Sequence, residues 1–127
     1  MLVLSIRTDN PKAEVGLYKD SQKIGYKSWQ AHRKLAETIH QSISEILISN
    51  GKNISDINGV VVFQGPGSFT GLRIGISVAN ALGNGLGVPI AGASGRNWQK
   101  SAIKNIGAKK LVWPNYGLDP YITIQKK

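Results

Sequence analysis

The stretch Gly65-Pro66-Gly67-Ser68-Phe69-Thr70-Gly71-Leu72-Arg73-Ile74-Gly75 holds the residues best placed to do chemistry. Gly65 and Gly67 can take positive φ, and Pro66 stiffens the turn between them. Ser68 or Thr70 can cap a helix that follows. Free N–H groups at such a helix start attract anions, so one reading is a phosphate-binding loop. The other is a structural turn, and the glycines alone leave both open. Generic nucleotide signatures do not fit. A P-loop needs Lys-Ser/Thr after its last glycine, whereas Leu72 follows Gly71; a dinucleotide fingerprint needs glycine where Thr70 stands.

Other reactive groups are sparse. His32 and His40 fall eight residues apart in a helical pattern, about 12 Å along the axis, too far to share one zinc. A helical zinc pair needs i, i+4 spacing, so both read as exposed helix histidines and no metal site is expected. The chain has no cysteine, which excludes disulfides, thiolate metal sites and thiol nucleophiles. Ser68 is the one serine with motif context, and no histidine follows it to act as its base. The seven acids are scattered. The expectation is a chain with no catalytic residue and no cofactor of its own.

Charge offers a further clue. Sixteen Lys and Arg face seven Asp and Glu, a net charge of +9. Beyond Gly71 the basic residues Arg73, Arg96, Lys100, Lys104, Lys109, Lys110, Lys126 and Lys127 face the single acid Asp119. Such a field attracts polyanions or an acidic partner, although a solvated basic surface reads the same way. If a nucleic acid binds directly, Arg96, Lys100, Lys104, Lys109 and Lys110 are the candidate contacts. The opening apolar run covers only residues 2–6, too short for a signal-peptide core, and no stretch approaches a membrane span. A cytoplasmic protein is expected.

Positioning the glycine-rich segment falls to the elements around it. Residues 2–6 read as a buried strand, 13–18 alternate as a second, 19–21 turn, and 23–29 make a weaker third. From 30 to 50 the period changes: Leu35, Ile39, Ile43, Ile46 and Leu47 recur at helical steps. Ser28 is the expected N-cap, and Gly51 the left-handed residue past the C-terminus. Residues 60–63 form a strand buried on both faces. A second helix is expected over 70–82, and a strand over 88–91 that Pro89 confines to an edge or a strand start. A third helix, capped by Ser94, follows over 96–106. The resulting order, β-β-β-α-β-α-β-α, predicts an α/β mixed sheet with helices on its faces, the order of the ribonuclease H-like fold of the actin, Hsp70 and sugar-kinase superfamily. Residues 1–108 would form that domain and 109–127 an extended tail.

As a whole string, GPGSFTGLRIG resembles the hallmark of the TsaB (YeaZ) family, bacterial paralogues of the tRNA threonylcarbamoyltransferase TsaD. Residues 54–62 are similar to the family's lead-in to this motif, 88–94 to its following strand and turn, and Leu4-Ser5-Ile6-Arg7-Thr8, more loosely, to its first strand. The resemblance covers about residues 2–106. It implies a non-catalytic scaffold that binds and activates TsaD in threonylcarbamoyladenosine formation on tRNA. ATP, magnesium and threonylcarbamoyl-adenylate would then sit on partner subunits, among them a TsaE-like ATPase. Alternatives are a small ATPase-like protein binding nucleotide through residues 65–71, and the basic tRNA-binding module named above.

Two departures from the family stand out. Arg7 occupies a position where an acid is usual, which removes a magnesium ligand and argues against ATP hydrolysis by this chain; by itself, Arg7 can equally sit at a strand end and pair with Asp9 or Asp20. The chain is also about half the family's usual length, and 114–118 faintly resembles the family's C-terminal end, so the expectation is a missing second domain. The second helix has only Ser77 and Asn80 as polar members over 74–82, so a second cover is expected on it, from within the monomer or from a partner. Carrying over the family's docking through its first two helices, which homodimers also use, implies an interface at Lys34, Thr38, Ile39, Leu72, Ile76, Ala79, Asn80 and Gly83. Ala79→Arg should then abolish docking and spare the fold.

Overall fold

The computed structural model describes residues 1–67 and 69–105. Strands β1 (Leu2–Arg7), β2 (Lys12–Lys19) and β3 (Gln22–Gln30) form an antiparallel meander. A 3-10 turn (His32–Lys34) leads into helix α1 (Leu35–Ser49), followed by β4 (Gly59–Phe63), α2 (Phe69–Leu86), β5 (Ile90–Ala93) and α3 (Trp98–Asn105). The five strands make one sheet in the order β3-β2-β1-β4-β5. β1 pairs antiparallel with β2 and parallel with β4, and β4 pairs parallel with β5. Parallel neighbours need a crossover, and α2 supplies the one between β4 and β5. This is the expected ribonuclease H-like order.

Register and pleat decide which side chains each face buries, because alternate residues point to opposite faces. Ile6 lies beside Val15 and Val62, and Leu4 beside Leu17 and Val60. These rows continue to Lys27 and Gly25 on β3. Lys27 Nζ pairs with Glu45 of α1 at 2.8 Å, and Trp29 Nε1 donates to Thr38 of α1 at 2.8 Å, so this face carries α1. It also carries α2, whose Gly83 abuts Ile90 beside Val60. Phe63 points the other way, meeting the buried Trp98 of α3 edge to face at 5.7 Å.

Several local features follow from single residues. Asp20 (φ 50°) and Ser21 (φ 72°) close the β2–β3 hairpin between the paired Lys19 and Gln22, and two positive φ values match the twist that a two-residue turn needs. The Asp20 carboxylate also accepts from the N-terminal ammonium at 2.8 Å. At the end of α1, Gly51 is left-handed, with Lys52 N–H donating to Leu47 O at 2.9 Å and Gly51 N–H to Ile48 O at 3.0 Å; this is a Schellman ending.

Element ends differ from expectation in four places. Ser28 is no helix cap: it lies in β3 opposite Glu14, and the α-helix starts only at Leu35. α2 runs on to Leu86 through Gly83 and Gly85, because its end is set at Gly87 (φ 70°), where Val88 N–H reaches back to Gly83 O at 2.9 Å. β5 starts at Ile90, just past Pro89, on a sheet edge. α3 begins at Trp98 rather than 96, so Ser94 stands too far ahead to cap it. The expected tail at 109–127 and its boundary lie outside the described residues. Among the described residues, no helix is long and apolar enough to cross a membrane.

Gly83 tests how tightly α2 sits on the sheet. A Cβ there would fall well inside contact distance of Ile90 Cγ1 and Cδ1. Gly83→Val should cost about 1–3 kcal/mol in urea unfolding through overpacking. The double variant Gly83→Val/Ile90→Ala should lose less than the sum of the singles; strict additivity would show that these positions do not touch.

Candidate functional site

The glycine-rich segment lies where β1 and β4 end and α2 begins. Gly65 is buried with φ 111°, Pro66 and Gly67 are exposed, and α2 starts at Phe69. Ser68 lies outside the described residues, and of Phe69 only the backbone is described. A Cβ on Gly67 would collide with Asp9 Cβ, and one on Gly75 with Thr8 Oγ1. Thr8 Oγ1 in turn donates to Gly71 O at 2.7 Å. These glycines therefore let the loop and the first turns of α2 lie directly on residues 8–9, beyond the end of β1. The observed contacts give the segment a structural role, whatever else its N–H groups do.

Beside it, Arg7 occupies the end of the central strand. Its guanidinium grips Asp9 with two hydrogen bonds, Nε to Oδ1 at 2.7 Å and an η nitrogen to Oδ2 at 3.1 Å, and lies 4.2 Å over the Phe63 ring. Of the two partners expected from sequence, Asp9 is the one taken; Asp20 holds the N-terminus. Hydrogen bonding to Asp9 outweighs burial and raises the Arg7 pKa above its ordinary value, so the cation persists at any working pH. Glu14, paired with Arg7 across β1–β2, adds to that field. Burial, then a hydrogen bond to Glu14, push the Tyr26 hydroxyl up. The cluster is a closed ion pair stacked on an aromatic ring. Among the described residues, no group of three His, Cys, Asp or Glu could hold a metal ion.

The interface residues expected from sequence divide sharply. Ile39, Leu72, Ile76 and Ala79 are buried in the chain's own core, and Gly83 is buried against Ile90. Thr38 is half-buried, bonded to Trp29 and to Lys34 O. Lys34 is exposed and Asn80 half-buried. Leu72, Ile76, Ala79 and Gly83 follow one another at helical steps along the face that packs on the sheet, so they cannot form a docking surface. Ala79→Arg would force a guanidinium into a fully buried site and unfold the chain, contrary to the expectation above.

The face turned to solvent is the neighbouring one: Thr70, Arg73, Ser77 and Ala81 on α2, with Ala36, His40, Ser44 and Ile48 on α1. Between the helices runs a groove of about 440 Å³ lined by Ala36, His40, Thr70, Arg73, Ile74, Ser77 and Val78. His40 also lines a second hollow of about 360 Å³ that extends past Ser44, Leu47 and Ile48 to Ile54 and Leu82. Ile48 is 72% exposed. Arg73 could have oriented the helix from sequence, since a charge marks the solvent side and places Ser77 and Ala81 on it. Of the basic candidates for tRNA contact, Arg96 and Lys100 are exposed before and on α3; Lys104 is placed in α3 by its backbone alone; Lys109 and Lys110 lie outside the described residues.

Arg7→Met should lower stability by about 1–3 kcal/mol, because the Asp9 carboxylate, 9% exposed, loses its partner. Arg7→Met/Asp9→Asn should recover part of that loss in urea unfolding. A double-variant loss equal to the sum of the Arg7→Met and Asp9→Asn losses would show that the pair is uncoupled.

Comparison with known proteins fits this geometry. A family model for TsaD, tRNA N6-adenosine threonylcarbamoyltransferase, matches residues 20–96, more than half of the chain. The chain is 34% identical over 99 residues to the tRNA threonylcarbamoyladenosine biosynthesis protein TsaB of Escherichia coli, an alignment covering 74% of this chain and 40% of that protein. It is 47% identical over 64 residues to the tRNA N6-adenosine threonylcarbamoyltransferase of Geotalea uraniireducens, covering 50% of this chain and 19% of that one. Among solved structures, YeaZ from Pseudomonas aeruginosa superposes with a TM-score of 0.68 at 25% identity, covering 73% of this chain and 43% of that one. Thermus thermophilus RuvC, at 13% identity and a TM-score of 0.51 over 74% of this chain and 64% of that one, shares the fold alone. The chain thus spans well under two thirds of the length of the curated relatives it matches. It belongs to the tRNA N6-adenosine threonylcarbamoyltransferase family, within the TsaB (YeaZ) branch.

Proposed function

We propose that this chain is a non-catalytic subunit of tRNA threonylcarbamoyladenosine formation, which docks onto a TsaD-type transferase through the α1–α2 face and activates it. The observation that carries this reading is the solvent side of that helix pair. Small side chains at Ala36, Ser44, Ser77 and Ala81 let another helix come close, and Ile48 stands 72% exposed at one end with no cover among the described residues. Exposed apolar surface beside a groove is the usual mark of an interaction site. Support for a non-catalytic role comes from Arg7, whose cation closes on Asp9 where a metal site would need carboxylates free. ATP, magnesium and threonylcarbamoyl-adenylate then belong to partner subunits, a TsaE-like ATPase among them.

Ser77→Arg and Ala81→Arg each place a long cation on the exposed side of α2, away from the core. Both variants should keep the wild-type unfolding midpoint and weaken transferase binding at least about tenfold, a loss of roughly 1.4 kcal/mol. Calorimetry with the transferase from the same cell reads this directly. Unchanged affinity in both variants would remove this face as the docking site. Saturable binding of ATP and magnesium to the isolated chain would instead favour the nucleotide-binding alternative.

A further inference from the structure

We infer that the end of the sheet where β1, β3, β4 and β5 finish is a second binding surface, one that takes the phosphate backbone of tRNA. The inference rests on the tRNA-modification role proposed above and adds a direct contact with the nucleic acid. Because β1, β3, β4 and β5 run one way and β2 the other, this end gathers the start of β2 and the turns leading into α1, α2 and α3. Lys12 opens β2, Arg33 and Lys34 precede α1, Arg96 precedes α3, and Lys100 lies on its first turn. All five are exposed, and none lines the groove between the helices. Among the described residues, no carboxylate pairs with any of them. Arg73, on the second turn of α2, is engaged within the chain, so the five make this surface without it.

The acids of this end do not cancel that charge. Asp9 is held by Arg7 at 2.7 Å and Glu14 is hydrogen-bonded to Tyr26, which leaves Glu37, on the first turn of α1, as the exposed acid among the described residues. At the opposite end, Lys19, Lys23 and Lys52 are mixed with Asp20 and Asp56. The five cations reach from β3 to β5 across the whole sheet. At ordinary strand spacing that is about 19 Å, room for about five phosphates of one strand at duplex spacing. α1, α2 and α3 also start here, so their unpaired N–H groups and positive dipole ends add to the attraction for phosphate oxygens. The exposed large apolar side chains of the described residues, Met1, Ile24, Tyr26, Ile48 and Ile54, all lie elsewhere. A protein partner needs an apolar centre to such a contact, whereas a phosphate backbone needs only cations and polar donors.

The test titrates a fluorescently labelled, unmodified tRNA transcript with the full chain and reads anisotropy from about 50 to 200 mM salt. Wild type should bind saturably at the low end, with log affinity falling against log salt at a slope of about −4, as five phosphate contacts require. Arg33→Gln/Lys34→Gln and Arg96→Gln/Lys100→Gln should each weaken binding at least about fivefold and make the slope shallower by about 2. Lys19→Gln/Lys23→Gln, at the opposite end, should change neither; circular dichroism checks that every variant folds. No binding at low salt would overturn the inference. So would equal losses in all three double variants, which would show attraction to net charge alone, or a loss confined to Lys109→Gln/Lys110→Gln. Calorimetry with the TsaD-type transferase separates this surface from the docking face. The two end variants should keep wild-type affinity there; losing it while still binding tRNA would make this end part of a protein interface and overturn the inference. A transferase that binds no version of the chain would refute the proposed docking, and the tRNA titration would still decide the present claim.

Discussion

How near α2 can come to the sheet governs the rest of the structure. The helix lies on β1, β4 and β5, and at Gly75 and Gly83 nothing larger than hydrogen fits between its backbone and Thr8 or Ile90. That closeness buries Leu72, Ile76 and Ala79 against the strands and fixes the rotation of the helix about its axis. Rotation then decides which residues meet solvent: Arg73, Ser77 and Ala81 are simply those one step around the same helix. Two glycines at the sheet interface thus decide which side chains of α2 are exposed.

The same closeness explains what happens where β1 ends. With Gly67 laid over Asp9, the side chain that completes this corner is Arg7. A guanidinium suits the place for three reasons at once: it satisfies both oxygens of Asp9, it covers the Phe63 face, and its flat, weakly hydrated head tolerates partial burial. A lysine could supply the charge but not the fork. The corner is therefore held together by one bidentate ion pair and one cation–ring contact.

Much of the fold was legible in the sequence because it depended on local rules. The hairpin at 19–22, the helix stop at Gly51 and the doubly buried β4 each follow from a residue type and its neighbours. What escaped depended on distant contacts. Ser28 has the chemistry of a cap but is held in β3 by its partner Glu14, and the glycines at 83 and 85 resemble a helix end until Ile90 and Gly87 are in place. Placing Ile39, Leu72, Ile76, Ala79 and Gly83 on a docking surface failed for a related reason. In a helix that is apolar nearly all round, composition does not tell core from exposed apolar face, and only the charge of Arg73 breaks the tie. The family motif itself was read correctly as a string, although its glycines serve packing against residues 8–9.

Specificity at the helical face cannot come from shape. Grooves between helices lined by Ala and Ser are shallow and alike, and apolar contact is non-directional, so any pair of small-residue helices offers comparable packing. A fold shared by paralogous subunits makes this acute, since each presents much the same helices in much the same places. Discrimination has to be written in the few polar side chains at the rim, where a wrong partner leaves like charges facing each other and a right one pairs them. Among the described residues lining the two hollows, Arg73, His40 and Lys52 are the basic or titratable side chains at that face.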